Sequence, residues 1–153
     1  MSERTLERLR SGLGDKATAI EMRSPRRIYV ELSPQHLVEA ARWLFADVRA
    51  RYAIATAAQT AQGFEVLHHF ALDAEHVVVS LRVRAQGDPP ALPSLAPVIK
   101  AAEFIEREMH DLVGIRFDGH PNLARLILAE DWPEGVYPLR RGRPWEGTLE
   151  RKV

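Results

Sequence analysis

Apolar and polar residues change their spacing along this chain in a way that marks out its elements. Thr5 to Leu13 reads as a short helix, stopped by Gly12 and Gly14. From Arg26 to Leu32 the period drops to two, with Ile28, Val30 and Leu32 on one face of a strand. Ser33 and Pro34 then suit a helix start, the serine as N-cap and the proline at the first helical position. Leu37, Val38, Ala41, Leu44, Phe45 and Val48 recur at helical spacing behind them. Residues 51–72 predict two strands around a turn at Gln62 and Gly63, with Phe64, Val66, His68 and Phe70 alternating with Glu65, Leu67 and His69. Val77, Val79, Leu81 and Val83 define a further strand, joined tightly through Asp73 and Ala74, so these strands form an antiparallel meander. The run QGDPPALPSLAP breaks the pattern with four prolines and leads into another helix. Strands in succession, with helices before and after, predict an α+β two-layer sandwich. The expected arrangement is a mostly antiparallel sheet with helices on one face over residues 1–127, then an extended C-terminal tail over 128–153.

The last helix and its sequel, EREMHDLVGIRFDGHPNL, carry more than patterning. On a helical wheel Ala101, Phe104, Ile105, Met109, Leu112 and Val113 form a broad apolar face. Glu103, Glu106, Arg107 and His110 lie opposite, with Glu103 and Arg107 placed for an exposed pair. Gly114 suits a left-handed C-terminal cap. Glu108 interrupts the apolar arc between Phe104 and Leu112. A carboxylate buried there needs a partner, either Arg116 or Arg125 within the fold or a group on another protein. Beyond the cap, Ile115 and Phe117 face opposite to Arg116, and Asp118, Gly119, His120 and Pro121 make a turn.

The 153 residues suit one domain, and the formal net charge is zero at a sequence pI near 7.0. No global basic excess points to nucleic acid. The absence of cysteine excludes disulfides, iron–sulfur ligation and thiolate zinc sites, and fits a cytoplasmic protein. The start, MSERTLERLRSGLG, has no apolar core of signal-peptide length, and no run approaches the roughly 18 apolar residues of a membrane span. His110, Asp118 and His120, with Asp111 nearby, offer ligand types for a metal-dependent hydrolase, without an H-E-x-x-H spacing. His68 and His69 point to opposite faces of a strand. No serine lies in a G-x-S-x-G turn, and GLGDKA lacks the spacing of a phosphate loop.

The tail holds Trp132, Val136, Tyr137, Leu139 and Trp145, with Arg140, Arg141 and Arg143 clustered among prolines 133, 138 and 144. Aromatic and arginine anchors on an extended segment suit another protein's surface; the alternative is folding back over this domain.

Glu106, Arg107, Glu108, Asp111, Gly114, Ile115, Gly119, His120, Pro121, Glu130, Asp131, Trp132, Pro138, Leu139 and Arg140 together resemble a known signature. It is that of the C-type subunit of NADH:quinone oxidoreductase, the 30 kDa subunit family of respiratory complex I. The resemblance implies a non-catalytic subunit with no catalytic, cofactor-binding or metal residues of its own, in a complex that uses NADH, flavin, iron–sulfur clusters and quinone. It implies packing against the large subunit of the 49 kDa or D type, with the tail clasping it. It further implies no nucleic-acid partner and a peripheral place on the cytoplasmic side of the membrane, reached only through the complex. Glu106, Arg107, Glu108 and Asp111 would then fix the helix and its contact, and Gly114 and Gly119 its turns. His110 and Val113 stand where the family usually has Tyr and Phe, and Arg141, Gly142 and Arg143 replace Lys-Asp-Tyr. DWPEGVYPLR is also similar to the related subunits of membrane-bound [NiFe] hydrogenases, which keeps that branch open.

Overall fold

The computed structural model describes residues 2–142. Its order is α1 (Ser2–Leu13), β1 (Ala17–Ser24), β2 (Arg27–Leu32), α2 (Pro34–Arg42), β3 (Arg51–Thr60), β4 (Gly63–Leu72), β5 (Val77–Arg84), β6 (Ala91–Pro93), α3 (Ala102–Val113) and β7 (Arg116–Asp118). Arg143, Pro144 and Trp145, expected to act within the tail, lie outside the described residues.

Five strands make one sheet in the order β1-β2-β5-β4-β3. The β3–β4–β5 meander is antiparallel as expected, with Val66 opposite Val83 and Phe70 opposite Val79. Two features depart from expectation. β1 is a strand that the pattern does not predict, pairing antiparallel with β2. Only Ala17, Ile20 and Ser24 along it are even half-buried, so no clean alternation is written in its sequence. β2 then runs parallel to β5, with Ile28 beside Val79 and Val30 beside Leu81.

The register puts Ile28, Val30, Val66, His68, Phe70, Val79, Leu81 and Val83 on one face, and all are buried. Leu9 and Leu13 of α1, Leu37, Ala40, Ala41 and Leu44 from α2 and the turn after it, and Met109 and Val113 of α3 join them in a single core. This is the expected mostly antiparallel sheet with helices on one face. Gly12 is required here because a Cβ would overlap the Trp43 ring. The helix after Ser33 is shorter than expected. It passes into a wider π-type turn at Trp43–Asp47, and Phe45 is left 43% exposed. Ser33 makes no side-chain capping bond.

β3 carries an extra residue at Ala53, between the pairs Tyr52–Phe70 and Ile54–His69. The bulge lets both Tyr52 and Ala55 face the core, three positions apart rather than two. The four-proline loop is not wholly irregular, because β6 pairs in parallel with β7 beside the end of α3.

Candidate functional site

α3 buries a different face from the one its apolar residues define. Ala102, Glu106, Met109 and Val113 point inward, about a quarter turn from the expected arc. Glu106, expected on the polar side, is wholly buried, whereas Phe104 is 56% exposed. Glu108, expected within the apolar face, is exposed. Neither intramolecular partner expected for it reaches it: Arg116 pairs with Asp118, and Arg125 donates to the carbonyls of Ala129 and Glu130. The Glu103–Arg107 pair also fails to form. Glu103 meets Lys100 at 2.7 Å, while Arg107 donates to the carbonyls of Ala124 and Arg125.

The rotation follows from a polar pocket that the wheel does not contain. Ser94 Oγ donates to Glu106 Oε2 at 2.5 Å, and the Leu95 N–H donates to Oε1 at 2.6 Å. A carboxylate satisfied in this way tolerates the interior that an unpaired one does not. Burial still pushes its pKa up against the opposing pull of Ser94, Leu95, His120 and Ala96. His120 Nε2 lies 4.0 Å from Glu106 and 2.9 Å from the Glu103 carbonyl. The Asn122 N–H donates to Nδ1 of the same ring, so Nε2 is the nitrogen that donates to the Glu103 carbonyl. Glu106 and His120 thus join three segments: the loop at 94–96, the body of α3 and the turn after β7.

Deeper in, the Tyr52 hydroxyl lies 3.0 Å from His68 Nδ1. Burial, reinforced by nearby Glu106, pushes the phenol well above its ordinary value. His68 is fully buried, and burial followed by the charge of His69 lowers its pKa to about 3, so the ring is neutral. His69 points to the other face, as expected. There it lies 2.7 Å from both Thr56 Oγ1 and Ser80 Oγ.

The segment beyond β7 is built onto the outward side of α3. Asp111 is 3% exposed, and its Oδ2 accepts the N–H groups of Leu126, Ile127 and Leu128 at 2.8, 2.8 and 3.1 Å. Burial pushes this carboxyl up, but the three amides outweigh it and hold the pKa below the ordinary value. Gly114 ends α3 at φ 78°, as its capping role requires, and His110 Nδ1 donates to the Ile115 carbonyl across the cap. Arg140 closes the same end. It donates to the carbonyls of Val113 at 2.7 Å and Gly114 at 3.3 Å, between the rings of Phe64 and Tyr137. The Leu139 N–H bonds the Leu112 carbonyl, and Trp132 Nε1 donates to the Val136 carbonyl.

The described tail therefore lies back on its own domain, while Leu126, Ile127 and Leu139 stay 39, 53 and 61% exposed. Of the signature residues, Glu106, Asp111, Gly114 and Ile115 are interior. Arg107, His120, Trp132 and Arg140 are partly covered, and Glu108, Gly119, Pro121, Asp131, Pro138 and Leu139 are exposed. The ligand types that suit a hydrolase do not converge. His110 and His120 bond separate carbonyls, Asp118 pairs with Arg116, and the described residues contain no group of three metal-ligating side chains. Ser94 and Tyr52 carry no signal in the sequence, because their roles depend on contacts with distant segments.

Residues 30–149 match the family model for the respiratory-chain NADH dehydrogenase 30 kDa subunit. The chain is 34% identical over 146 residues to the NADH-quinone oxidoreductase C subunit of Roseiflexus sp. strain RS-1, covering 91% of this chain and 82% of that one. It is 37% identical over 125 residues to the NADH-quinone oxidoreductase C/D protein of Methylococcus capsulatus, covering 73% of this chain but only 21% of that longer one. Among solved structures, a trypsin-resistant fragment of Nqo5 superposes with a TM-score of 0.64 at 25% identity, covering 78% of this chain and 97% of the fragment. A chain of an archaeal membrane-bound sulfane sulfur reductase shares the fold, with a TM-score of 0.78 at 19% identity over 90% of this chain and 82% of that one.

Proposed function

Because the chain belongs to the respiratory-chain NADH dehydrogenase 30 kDa subunit family, we propose that it is a non-catalytic scaffold in the hydrophilic arm of an NADH:quinone oxidoreductase. Its task is to hold the D-type, 49 kDa subunit in place during electron transfer from NADH to quinone. The flavin, iron–sulfur clusters and quinone site belong to other subunits of that complex. The chain meets the membrane only through them, on the cytoplasmic side.

The observation that carries this reading is the joining of C-type and D-type sequences within single chains of relatives, as in the Methylococcus capsulatus protein. Two subunits joined covalently hold each other at high effective concentration, an arrangement suited to domains that work in contact. The form of the domain agrees. The polar side chains at the end of α3 are spent on internal bonds, and apolar ones are left outside.

The test is to tag the chain in its native cell, solubilise the membranes gently and identify what co-purifies. Recovery of a D-type subunit with the flavin module is the expected result. A nickel-iron large subunit in its place would transfer the chain to the hydrogenase branch. A soluble, solitary chain would refute the scaffold.

A further inference from the structure

Seven large hydrophobic side chains are prominently exposed among the described residues, and four of them are Phe104, Leu126, Ile127 and Leu139. Phe104 lies on α3, Leu126 and Ile127 on the chain bound to it through Asp111, and Leu139 where the tail is tied to the C-terminal end of the helix. Phe104 lies under the Arg107 guanidinium, which also grips the carbonyls of Ala124 and Arg125. Asp111 fixes the backbone at 126–128, and the Leu139 amide is tied to Leu112. The backbone under this surface is held in register, so docking here does not first require ordering it.

Glu108 lies on the same helix as Phe104. It is one helical turn from Phe104 and one from half-buried Leu112, on the side where Leu126 and Ile127 are anchored. Its side chain is exposed and has no hydrogen bond or ion pair among the described residues. The neighbouring cations are already engaged: Arg107 and Arg125 by tail carbonyls, Arg116 by Asp118, and Arg140 by the end of α3. Among the described residues, then, a negative charge stands beside exposed apolar side chains with no cation paired to it.

We propose that this face is the docking surface for the D-type subunit, and that the partner inserts an arginine or lysine side chain against Glu108. The inference rests on the scaffold reading above and adds the location and the charge of the contact. Water excluded by Phe104, Leu126, Ile127 and Leu139 makes such a pair strong, whereas the same pair at an open rim contributes little. Removing one member of a desolvated pair leaves the other buried and unpaired, which mainly raises the dissociation rate.

The experiment uses the intact complex in its native cell, with the chain tagged and the D-type subunit quantified after gentle solubilisation. The variants are Glu108→Arg, Glu108→Gln and Phe104→Ala, with Glu7→Arg on the exposed side of α1 as control. Glu108→Arg is expected to lower recovery of the D-type subunit at least about tenfold. Glu108→Gln and Phe104→Ala are expected to lose less, and Glu7→Arg nothing. The melting temperature of the isolated chain should not move for Glu108→Arg, because the side chain is already in water. Wild-type recovery with Glu108→Arg, or equal loss with Glu7→Arg, would overturn the docking face and leave the scaffold reading intact. Loss of a different subunit while the D-type one is retained would overturn the assignment of the occupant. A wild-type chain that recovers no D-type subunit would overturn the scaffold reading and this inference with it.

Discussion

Replacing Arg140 with alanine should release the tail from α3 without unfolding the domain. The side chain holds its place in three ways. It makes a charge-assisted bond to the Val113 carbonyl at 2.7 Å, sits 4.4 Å from the Tyr137 ring centre and 4.8 Å from that of Phe64, and lies at the negative end of the helix. A hydrogen bond from a charged donor contributes about 1.5 kcal/mol at the low end, and each partly exposed cation–π contact about 0.5 kcal/mol. The total is on the order of 2–3 kcal/mol, or roughly thirty- to 150-fold in a local opening equilibrium. The probe is the Leu139 amide, which bonds the Leu112 carbonyl only while the tail is docked. Hydrogen exchange followed by NMR should show its protection falling by that factor, while core amides such as that of Val79 stay unchanged. Arg140→Lys should recover little, since an ammonium lacks the planar fork that faces two rings and two carbonyls at once. Unchanged protection at Leu139 in Arg140→Ala, or full recovery with lysine, would refute this account of how the tail is held.

Three further outcomes follow from the interior. Glu106→Ala should cost about 2–5 kcal/mol in chemical denaturation, because the Ser94 hydroxyl and the Leu95 N–H lose their acceptor in the core. Since burial raises the folded-state pKa of Glu106, its contribution is full below the ordinary carboxylate range and declines as pH rises through the raised value. The deficit of Glu106→Gln relative to wild type should accordingly be larger near pH 4 than near pH 7. His68 has the opposite sign. Its folded pKa of about 3 lies below the unfolded value of 6.5, so wild-type stability falls as pH drops from 6.5 toward 3, by up to about 1.4 kcal/mol per unit. Urea titrations from pH 7 to 5 should show that this slope is absent from His68→Phe. Gly114→Ala should cost at least about 1 kcal/mol in thermal unfolding for the positive φ alone, and more because the new Cβ meets the Tyr137 ring at 2.6 Å.

The meander was legible because its strands have one wet face and one dry face, and Val66, His68 and Phe70 repeat that contrast at every second residue. β1 was not, because an edge strand with little cover leaves no such record in its sequence. The site was half legible. Gly114 and the turn at Gly119 could be assigned from local chemistry alone. The orientation of α3 could not, because the acceptor needed by Ser94 and Leu95 outweighed the pull of Phe104 toward the core. Tertiary hydrogen bonding set the rotation, and a helical wheel sees only hydrophobicity. Glu108 and Glu106 thereby exchanged the places expected of them. The role of Arg140 was equally hidden, since it needs Phe64 from the start of β4 and Val113 from α3, far apart in the chain.

The parallel pairing of β2 with β5 also governs how the chain matures on the ribosome. When Arg27–Leu32 leaves the exit tunnel, one edge of the strand can close at once with β1, its neighbour in sequence. The other edge waits until Val77–Arg84 has been made. Until then a ribbon carrying Ile28, Val30 and Leu32 presents open backbone groups to its surroundings. Synthesis of β5 is what closes this edge, and the interval before it is the time when a nascent-chain chaperone has an open strand edge to protect.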